Sequence, residues 1–516
     1  MKKKLPIGIS NLKKIITEGY VYVDKTRYVC ELVNTGVYYF LSRPRRFGKS
    51  LFVDTLKEAF DGNKDLFQGL YIYDKWDWSV KYPVININFA EGVLKSREKL
   101  DKRIIDILRV NQKRLGIQCI EIDDVTSCFI ELIDNAKEKY GQNVVILIDE
   151  YDKPILDNIT EPEIAKEMRE GLKNLYSVIK GQDANIKFVF LTGVSKFSKI
   201  SIFSGLNNLR DITIDANYSS ICGYTEDELT IAFEEHLKDK DFNQIRHWYN
   251  GYSWTGVERV YNPFSIINYL QTGVFRNYWF ESGTPTFLIE LLKQRRYYIP
   301  QIENIEAGES LIGSFDVDFI EPENLLFQSG YLTIISTRTI VGNIIYKLTY
   351  PNFEVKTSLL DYILKHYSVV FSDVVRRRIR LYEELERCNV DAIREIIQSH
   401  FASIPHHWYK KNDIEEYEGF YSSVFYSYFA SLGLNVRPED ITNHGNIDMT
   451  VVMNHAVFIF EFKVIERENE ASTGLQQIKD MNYAEKYKGF NLPIYLIVID
   501  FDKRTRNVSS FQWERY

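Results

Sequence analysis

Cysteine is scarce in this sequence and has no pairing pattern. The five cysteines are Cys30, Cys119, Cys128, Cys222 and Cys388. They are widely spaced and odd in number, with no CxxC pair or Cys/His cluster, which argues against a disulfide framework and a structural zinc site. No run approaches about 18 apolar residues, so no transmembrane helix is predicted. The basic residues 1–4 precede a polar stretch instead of an apolar leader segment. We therefore expect a cytoplasmic protein with no membrane partner.

An excess of positive charge is also missing. The chain has 64 Lys and Arg against 71 Asp and Glu, a net charge of −7. This balance argues against a protein that coats nucleic acid indiscriminately, although it is compatible with a local basic groove. The basic run 376–380 fits either a solvated helix face or a surface that follows a phosphate backbone. At 516 residues with 45% apolar content, the chain is long enough for two or three domains with their own cores.

Strand-like and helical segments alternate through about residue 215, which is typical of an α/β domain with a parallel sheet. The predicted strands are residues 37–41, 82–89, 144–148, 188–192 and, more weakly, 212–214. Helical periodicity dominates residues 226–290 and 356–404, and short strands are expected within 324–348 around Gly330 and Gly342. Past residue 416 we expect a helix, two paired strands, a helix and a strand: residues 420–432, 447–453, 457–464, 474–487 and 494–499.

Residues 43–50, RPRRFGKS, lie between the first predicted strand and a helical pattern. They match the phosphate-binding signature G-x-x-x-x-G-K-[ST], except that Arg43 stands at the first glycine. In such a loop, backbone N–H groups cradle the β-phosphate, the lysine reaches the β- and γ-phosphates and the hydroxyl ligates Mg²⁺. Lys49 and Ser50 keep the last two roles, and Arg43 still has a backbone N–H. The alternative is a basic turn that happens to contain Gly-Lys-Ser.

The third predicted strand ends in two acids, Asp149 and Glu150. In P-loop ATPases this pattern holds Mg²⁺ through the Asp, and an adjacent Glu polarises the attacking water. The alternative is a helix cap or a salt bridge, but a Gly-Lys-Ser loop upstream favours the catalytic interpretation. Asp152, two residues further, could add negative charge to the site, but a solvated turn is the favoured interpretation. Thr192, at the end of the fourth strand, is a candidate to contact the γ-phosphate or the lytic water.

Several longer segments resemble the AAA-ATPase-like proteins of bacteria. They are LPIG (5–8), YVDKT (22–26), RPRRFGKSLF (43–52), ILIDEYDKPI (146–155), FLTGVSKFSKISIFSGLNNL (190–209), CGYTEDEL (222–229), WYNGYSW (248–254) and YNPFSI (261–266). The resemblance implies an α/β P-loop ATPase of the additional-strand type, with sheet order 5-1-4-3-2, and Arg at position 43 is usual in it. It implies that ATP and Mg²⁺ are bound by the following residues: Arg45, Arg46, Phe47, Gly48, Lys49, Ser50, Leu51, Asp149 and Thr192. Of these, Ser50 and Asp149 would hold the metal.

An arginine finger is a further element of such ATPases, supplied either within the chain or by a neighbouring subunit. Arg45, Arg46 and Arg210 are the candidates, and Arg210 is favoured because it follows the fourth strand. A finger acting between subunits would require a homo-oligomer, which the sequence leaves open. No chemistry follows from WYNGYSW or YNPFS, whose aromatic residues fit packing better than ligand contact.

A second group of chemical residues lies near the carboxyl terminus, in GNID (445–448) and EFK (461–463). If Asn454 and His455 form a two-residue turn, Asp448 stands directly opposite Glu461 on the same face of a hairpin. Lys463 points to that face as well. Two carboxylates and an amine on an apolar hairpin would be costly without a purpose, and metal-assisted phosphodiester hydrolysis fits it. The alternative is a salt bridge on a fold without catalytic activity.

This arrangement resembles the PD-(D/E)xK nuclease superfamily, and in particular the nuclease-like domain appended to the ATPases named above. The resemblance implies that Asp448 and Glu461 hold Mg²⁺, that Glu418 adds a ligand from the preceding helix, and that Lys463 is catalytic. Gln477 and Tyr483 match a later helix of the family. The superfamily includes members that bind without cleaving.

The combined expectation is an ATPase domain (1–225), a mostly helical module (226–405) and a restriction-endonuclease-like α/β domain (406–516). The expected function is ATP binding and hydrolysis coupled to a Mg²⁺-dependent nuclease acting on DNA or RNA. The alternative is a nucleotide-dependent switch or binding protein whose nuclease fold is inactive.

Overall fold

A computed structural model describes residues 2–120, 123–196, 202–203, 206, 208–280, 286–313, 320–367, 371–403, 418–443, 445–465, 474–502, 505 and 507–516. The side chains of residues 286–287, 310–311, 366–367, 371–375 and 418 lie outside this description. The chain divides into two compact units, one of Met1–Phe287 with Ile305–Asn352 and one of Leu288–Asn304 with Phe353–Tyr516. The three-domain division stays a prediction, and its boundary at residues 405 and 406 falls outside the described residues. Among the described residues, no helix combines the length and apolar character needed to cross a membrane.

The first unit is built on a parallel five-stranded sheet. Its strands are β1 (Tyr38–Ser42), β2 (Val84–Asn88), β3 (Val144–Asp149), β4 (Ile186–Gly193) and β5 (Arg210–Asp211). Their spatial order is β2-β3-β4-β1-β5, so the predicted order 5-1-4-3-2 is confirmed when the sheet is read from its other edge. Every residue of β3 is buried, as expected for a strand packed on both faces.

Helices connect these strands and supply most of the remaining core. They are α1 (Leu12–Thr17), α2 (Thr26–Thr35), α3 (Lys49–Phe60), α4 (Arg97–Leu115), α5 (Val125–Tyr140), α6 (Lys153–Leu156) and α7 (Pro162–Gly181). Two of the longer helices, α4 and α5, have capping residues at both ends. Ser96 and Asp124 cap the amino ends of α4 and α5, and Gly116 and Gly141 follow their carboxyl ends with positive φ.

The fifth strand lies two residues earlier than predicted. Residues 212–214 do not form it; Arg210 and Asp211 pair with β1 instead. The side chain of Asp211 accepts the backbone N–H of Thr213 at 2.9 Å, and the Thr213 hydroxyl accepts the N–H of Ser42 at 3.0 Å. These side-chain bonds form a turn that ends the strand. Ile212 is buried in the core rather than extending the sheet.

The rest of the first unit is a mixed module. Its elements are α8 (Glu226–Ala232), α9 (Glu234–Leu237), α10 (Phe242–Tyr249), α11 (Pro263–Thr272), β6 (Ile305–Gly308), α13 (Glu309–Gly313), α14 (Pro322–Ser329), β7 (Thr333–Ile340) and β8 (Asn343–Thr349), with α12 (Thr286–Gln294) spanning the boundary between the two units. The three strands form an antiparallel sheet of order β6-β8-β7. Gly342 turns between β7 and β8 as predicted. Gly330 does not flank strands on both sides: it ends α14 with φ 93°.

The second unit has a five-stranded sheet of order β13-β12-β11-β10-β9. Its elements are α15 (Phe353–Tyr367), α16 (Phe371–Glu386), α17 (Val390–Ala402), α18 (Glu418–Ala430), β9 (Asn435–Ile441), β10 (Asn446–Val452), β11 (Val457–Ile465), α19 (Gly474–Asp480), α20 (Glu485–Lys488), β12 (Ile494–Asp502) and β13 (Asn507–Arg515). The predicted helix 474–487 is therefore two short helices. The edge strands β9 and β13 were not predicted, because their many polar residues carry little hydrophobic signal.

The basic run 376–380 lies on α16 and is partly used for packing. Arg377 donates to the Ser399 carbonyl at 2.9 Å. Arg378 pairs with Asp361 and donates to the Ser431 carbonyl at 2.6 Å. Arg380 pairs with Glu395 on α17. These bonds favour a role in joining α16 to its neighbours over a surface that follows phosphates.

Candidate functional site

The RPRRFGKS loop joins the end of β1 to the start of α3, as the sequence predicts. Gly48 immediately precedes α3 with φ 93°, a conformation that glycine adopts without strain. Arg46 also has a positive φ, of 67°. The loop thus turns sharply before a helix amino terminus, where free backbone N–H groups favour an anion.

Lys49 is buried inside this loop. Its Nζ donates to the carbonyl oxygens of Arg43 at 2.9 Å and Pro44 at 3.0 Å. Burial lowers the pKa of Lys49, and the negative charges of Asp149, Asp152 and Glu150 oppose that shift. The ammonium is therefore held by neutral carbonyls within reach of several acids.

Ser50 and Asp149 meet at the base of the loop. The Ser50 side chain lies close enough to Asp149 to lower the pKa of that carboxyl, and Asp149 accepts the backbone N–H of Glu150 at 3.0 Å. Burial raises the pKa of Asp149, while Ser50 and the charge of Lys49 act in the opposite direction. A hydroxyl and a carboxylate side by side are oxygen donors of the kind that Mg²⁺ prefers.

A pocket of about 500 Å³ opens over the loop, within the size range of small-molecule sites. Arg45 to Leu51 line it together with Glu150, which has φ 53°. Segments from elsewhere in the unit complete its walls: residues 6–10, 21–23, 221–224, and Phe264, Ile267 and Asn268. Apolar and polar walls of this kind suit a ligand with an aromatic base and a charged tail.

The arginines and the phenylalanine of the loop face in different directions. Arg45 and Arg46 are exposed, and the Arg46 guanidinium lies 4.9 Å from the ring centre of Phe264. The Phe47 ring is buried and packs edge-on against Tyr252. Arg210 pairs with Asp215 at 2.9 Å within the same chain. A finger role for any of the three arginines stays a prediction.

Thr192 is buried at the end of β4. Its hydroxyl donates to the Leu41 carbonyl at 2.8 Å, and Thr192 is not among the residues that line the pocket. Its predicted contact with phosphate or water therefore stays a prediction. Donation to a phosphate oxygen would require the hydroxyl to leave the Leu41 carbonyl, whereas the hydroxyl could accept from a water without doing so.

Asp152 is an important residue that the sequence interpretation assigned wrongly to a solvated turn. It is 1% exposed, and its carboxylate accepts the backbone N–H groups of Val194 at 3.0 Å and Ser195 at 2.6 Å. Gly193 leaves room for it, because a Cβ there would lie 2.3 Å from Asp152 Oδ1. Asp152 thereby joins the segment after Glu150 to the segment after β4. Only its spacing from Glu150 signalled this in the sequence.

Asp152 supports a prediction about pH. Burial raises its pKa from 3.8 to about 6. Because the folded state disfavours the charged carboxylate, this group lowers stability as the pH rises from about 4 to about 6, by at most about 3 kcal/mol. Asp152→Asn removes that dependence. We expect the melting temperature of the variant, relative to wild type, to rise by several degrees between about pH 4 and pH 7. A difference that does not change with pH would contradict this assignment.

In the second unit, the β10–β11 hairpin has the predicted register. Met449 pairs with Phe460 and Val452 with Val457, and the turn closes with Met453 N–H donating to the Ala456 carbonyl at 2.9 Å. Next to the Met449–Phe460 pair, the carboxylate of Asp448 accepts the backbone N–H of Phe462 on β11 at 2.6 Å. Asp448 is therefore fixed next to Glu461.

The other predicted residues gather around this pair. Glu461 is 7% exposed within an apolar strand. Lys463 Nζ donates to Gln477 Oε1 on α19 at 2.7 Å. Both residues were named from the family resemblance, and they are in direct contact. Burial raises the pKa of Tyr483, and the charges of Glu461 and Asp448 add to that rise. Both acids thus lie near one tyrosine, on the side of the sheet that faces α19.

Asp500 is a further acid that the sequence did not single out. In the strand register it lies opposite Lys463 on the neighbouring parallel strand, and it is 1% exposed. The side chains of Asp500 and Lys463 therefore leave the sheet on the same side. The β12–β13 register shifts directly after Asp500, and such bulges redirect side chains next to functional sites. In the sequence, Asp500 follows an apolar run much as Asp149 does, which was the available signal.

The metal ligands are only partly described. Asp448 and Glu461 lie together, but the side chain of Glu418 at the start of α18 lies outside the described residues. In the described part of the chain, no group of three His, Cys, Asp or Glu side chains is arranged to hold a metal ion. Two oxygen donors fit Mg²⁺, which usually keeps several waters.

Comparison with known proteins finds a family match for each of two regions of the chain. Residues 6–203 match the family described as "Predicted AAA-ATPase", and residues 416–511 match the PD-(D/E)XK nuclease superfamily. An uncharacterized protein in the vnfD 5′ region of Azotobacter chroococcum mcd 1 is 50% identical over 512 residues, covering 99% of this chain and 98% of that protein. The chain therefore belongs to the AAA-ATPase-like proteins that carry a carboxy-terminal PD-(D/E)XK nuclease superfamily domain.

Proposed function

We propose that the first unit binds and hydrolyses ATP with Mg²⁺. The observation that carries this proposal is the joining of Lys49, Ser50 and Asp149 at the base of a pocket of about 500 Å³. The backbone N–H groups of the loop and of the first turn of α3 would bind the β-phosphate. Lys49 would exchange its two carbonyl acceptors for phosphate oxygens.

The acidic residues near the loop would have different roles in hydrolysis. Ser50 and Asp149 would hold the metal, which when bound neutralises phosphate charge. Glu150 lines the pocket and is placed to orient the attacking water and accept its proton. Asp152 would hold the segment after β4 in a fixed position relative to Glu150, through its bonds to Val194 and Ser195.

We further propose that the second unit cleaves DNA or RNA in a Mg²⁺-dependent reaction. The supporting observation is the placing of Asp448 beside Glu461, with Lys463 bonded to Gln477 on the same face of the sheet. The two acids would hold the metal, which when bound activates water and stabilises the leaving oxygen. Lys463 would orient the nucleophile or neutralise the phosphate, and Gln477 would fix its direction.

In the combined proposal, the nucleotide state of the first unit controls nucleic-acid cleavage by the second, in the cytoplasm. The alternative is a nucleotide-dependent switch or binding protein whose nuclease fold grips nucleic acid without cutting it. It is favoured by one observation: within the described residues, no three His, Cys, Asp or Glu side chains are grouped so that they could hold a metal ion. Wild type, Lys49→Ala and Asp448→Asn, each assayed for ATP hydrolysis and for Mg²⁺-dependent cleavage, separate these functions.

A further inference from the structure

The family motifs without assigned chemistry surround the P-loop. Phe47 packs edge-on against Tyr252 and Trp254 of WYNGYSW, with ring centres 4.8 Å and 5.5 Å apart. The amide of Asn262 in YNPFS donates to the Arg45 carbonyl at 3.4 Å, and Gly223 N–H donates to the Phe47 carbonyl at 3.1 Å. Segments up to 217 residues distant in sequence therefore contact the loop.

Arg43, at the position of the missing glycine, is fully buried among these segments. Its side chain is 0% exposed. Nη1 donates to the carbonyls of Ser42 at 2.9 Å and Thr213 at 2.7 Å, and Nη2 donates to the Tyr218 carbonyl at 3.2 Å. The guanidinium also lies 3.9 Å from the ring centre of Trp254, well within cation–π range.

Burial of the charged Arg43 guanidinium is energetically unfavourable. Among the described residues, no carboxylate is a hydrogen-bond partner of Arg43, and burial lowers its pKa from 12.5 to about 10. The side chain is still charged at neutral pH, so a cation is buried against carbonyls and an indole. A buried charge that is only partly compensated costs stability. Its retention next to the phosphate loop points to a functional benefit.

The backbone of Arg43 supplies the link to the proposed ATP site. Its carbonyl accepts Lys49 Nζ at 2.9 Å, and its N–H donates to the Gly193 carbonyl at the end of β4 at 3.2 Å. Arg43 is not among the residues with positive φ, so this position makes no conformational demand for glycine. The side chain therefore does what a flexible glycine cannot: it fixes the loop from outside.

We propose that Arg43 is a positioning residue that holds the P-loop in its nucleotide-binding shape through Trp254 and the carbonyls of Thr213 and Tyr218. The proposal rests on the proposed ATP site. It leads to an unusual expectation, because restoring the consensus glycine at position 43 should weaken nucleotide binding. The guanidinium points away from the pocket, so it should support ATP and ADP equally.

The test measures the Kd of ATP and of ADP by calorimetry on the full chain, at a temperature where each variant is folded. Arg43→Gly is expected to raise both values at least tenfold and by the same factor. Trp254→Leu should raise both by a smaller factor. In the double variant the loss should be smaller than the product of the two single losses, because Arg43 and Trp254 share one contact, while Trp254 also packs against Phe47. Arg43→Lys keeps the charge but loses the planar fork, and is expected to restore only part of the affinity.

Arg378→Met is the matched control. Arg378 is a partly buried arginine, with 15% of its side chain exposed, that pairs with Asp361 and donates to the Ser431 carbonyl. It lies in the second unit, so its loss should lower stability and leave both Kd values unchanged. If Arg43→Gly does not fold, Arg43→Lys and Trp254→Leu provide the same comparison. Kd values within twofold of wild type for these variants would overturn the proposal, as would a loss for ATP without one for ADP. A wild-type protein that binds neither nucleotide would overturn the proposed ATP site and this inference with it.

Discussion

Lys49→Ala is expected to lower the rate of ATP hydrolysis by about 10²-fold or more, since removal of one preorganised donor to a charged transition state costs that much in other enzymes. The reason lies in the position of the side chain. Lys49 is the buried cation of the loop, and the carbonyls of Arg43 and Pro44 hold it where phosphate oxygens would replace them. The measurement is phosphate release at saturating ATP and Mg²⁺.

Lys57→Ala is the control for this prediction. Lys57 lies on the same helix, α3, and pairs with Glu58 and with Asp61 at 2.9 Å, away from the pocket-lining residues. Its replacement should leave ATP hydrolysis within about twofold of wild type, because a partly exposed ion pair contributes little. Equal losses in both variants would show that the effect of Lys49→Ala is one of folding. Unchanged hydrolysis in Lys49→Ala would contradict the assigned role of the loop.

Asp448→Asn is expected to lower Mg²⁺-dependent cleavage by about 10³-fold, equivalent to about 4 kcal/mol of transition-state stabilisation. The amide oxygen can still accept the N–H of Phe462, the bond that Asp448 makes at 2.6 Å, so the hairpin should stay folded. What the variant loses is the negative charge beside Glu461. ATP hydrolysis, measured on the same preparation, should remain near the wild-type rate.

Asp480→Asn provides an isosteric comparison in the same unit. Asp480 ends α19 and accepts Gln476 Nε2 at 2.8 Å on the exposed side of that helix. Its replacement should leave cleavage unchanged. If Asp448→Asn cleaves as well as Asp480→Asn does, Asp448 is not a metal ligand. That result would favour the alternative of a salt bridge on a fold without catalytic activity.

The sequence predicted those parts of the fold whose signal is local. Strand β3 is a continuous apolar run up to Asp149, which is typical of a strand buried on both faces, and β1, β2 and β4 are rich in apolar residues. The hairpin register followed from a two-residue turn and the alternation of side chains, and the pairing of Met449 with Phe460 confirmed it. The loop and its neighbouring acids followed from motif spacing. The strand order came from the family resemblance.

The parts that were missed depend on contacts distant in sequence. β5 ends early because Asp211 captures the N–H of Thr213, which no periodicity reveals. β9 and β13 are polar edge strands, whose pairing is set by the strands beside them. Asp152 looked solvated because its partners, Val194 and Ser195, lie some 40 residues further along the chain.

Arg43 shows the same limit most clearly. In the sequence it is a substitution in a motif, harmless because it keeps a backbone N–H. In the structure its side chain joins β1 to Thr213, Tyr218 and Trp254. The aromatic motif WYNGYSW was correctly interpreted as packing material, but the object it packs against is the phosphate loop, and that could not be inferred from spacing.

The central claim is that one chain combines a P-loop ATPase with a metal-dependent nuclease. It is tested most directly by incubating wild type and Asp448→Asn with end-labelled single- and double-stranded DNA and RNA, in Mg²⁺ or Mn²⁺, with and without ATP. We expect wild type to cleave at least one substrate at a rate that responds to ATP, and Asp448→Asn to lose that cleavage. No cleavage of any substrate by a wild-type protein that binds ATP would contradict the nuclease assignment and favour a nucleotide-dependent binding protein.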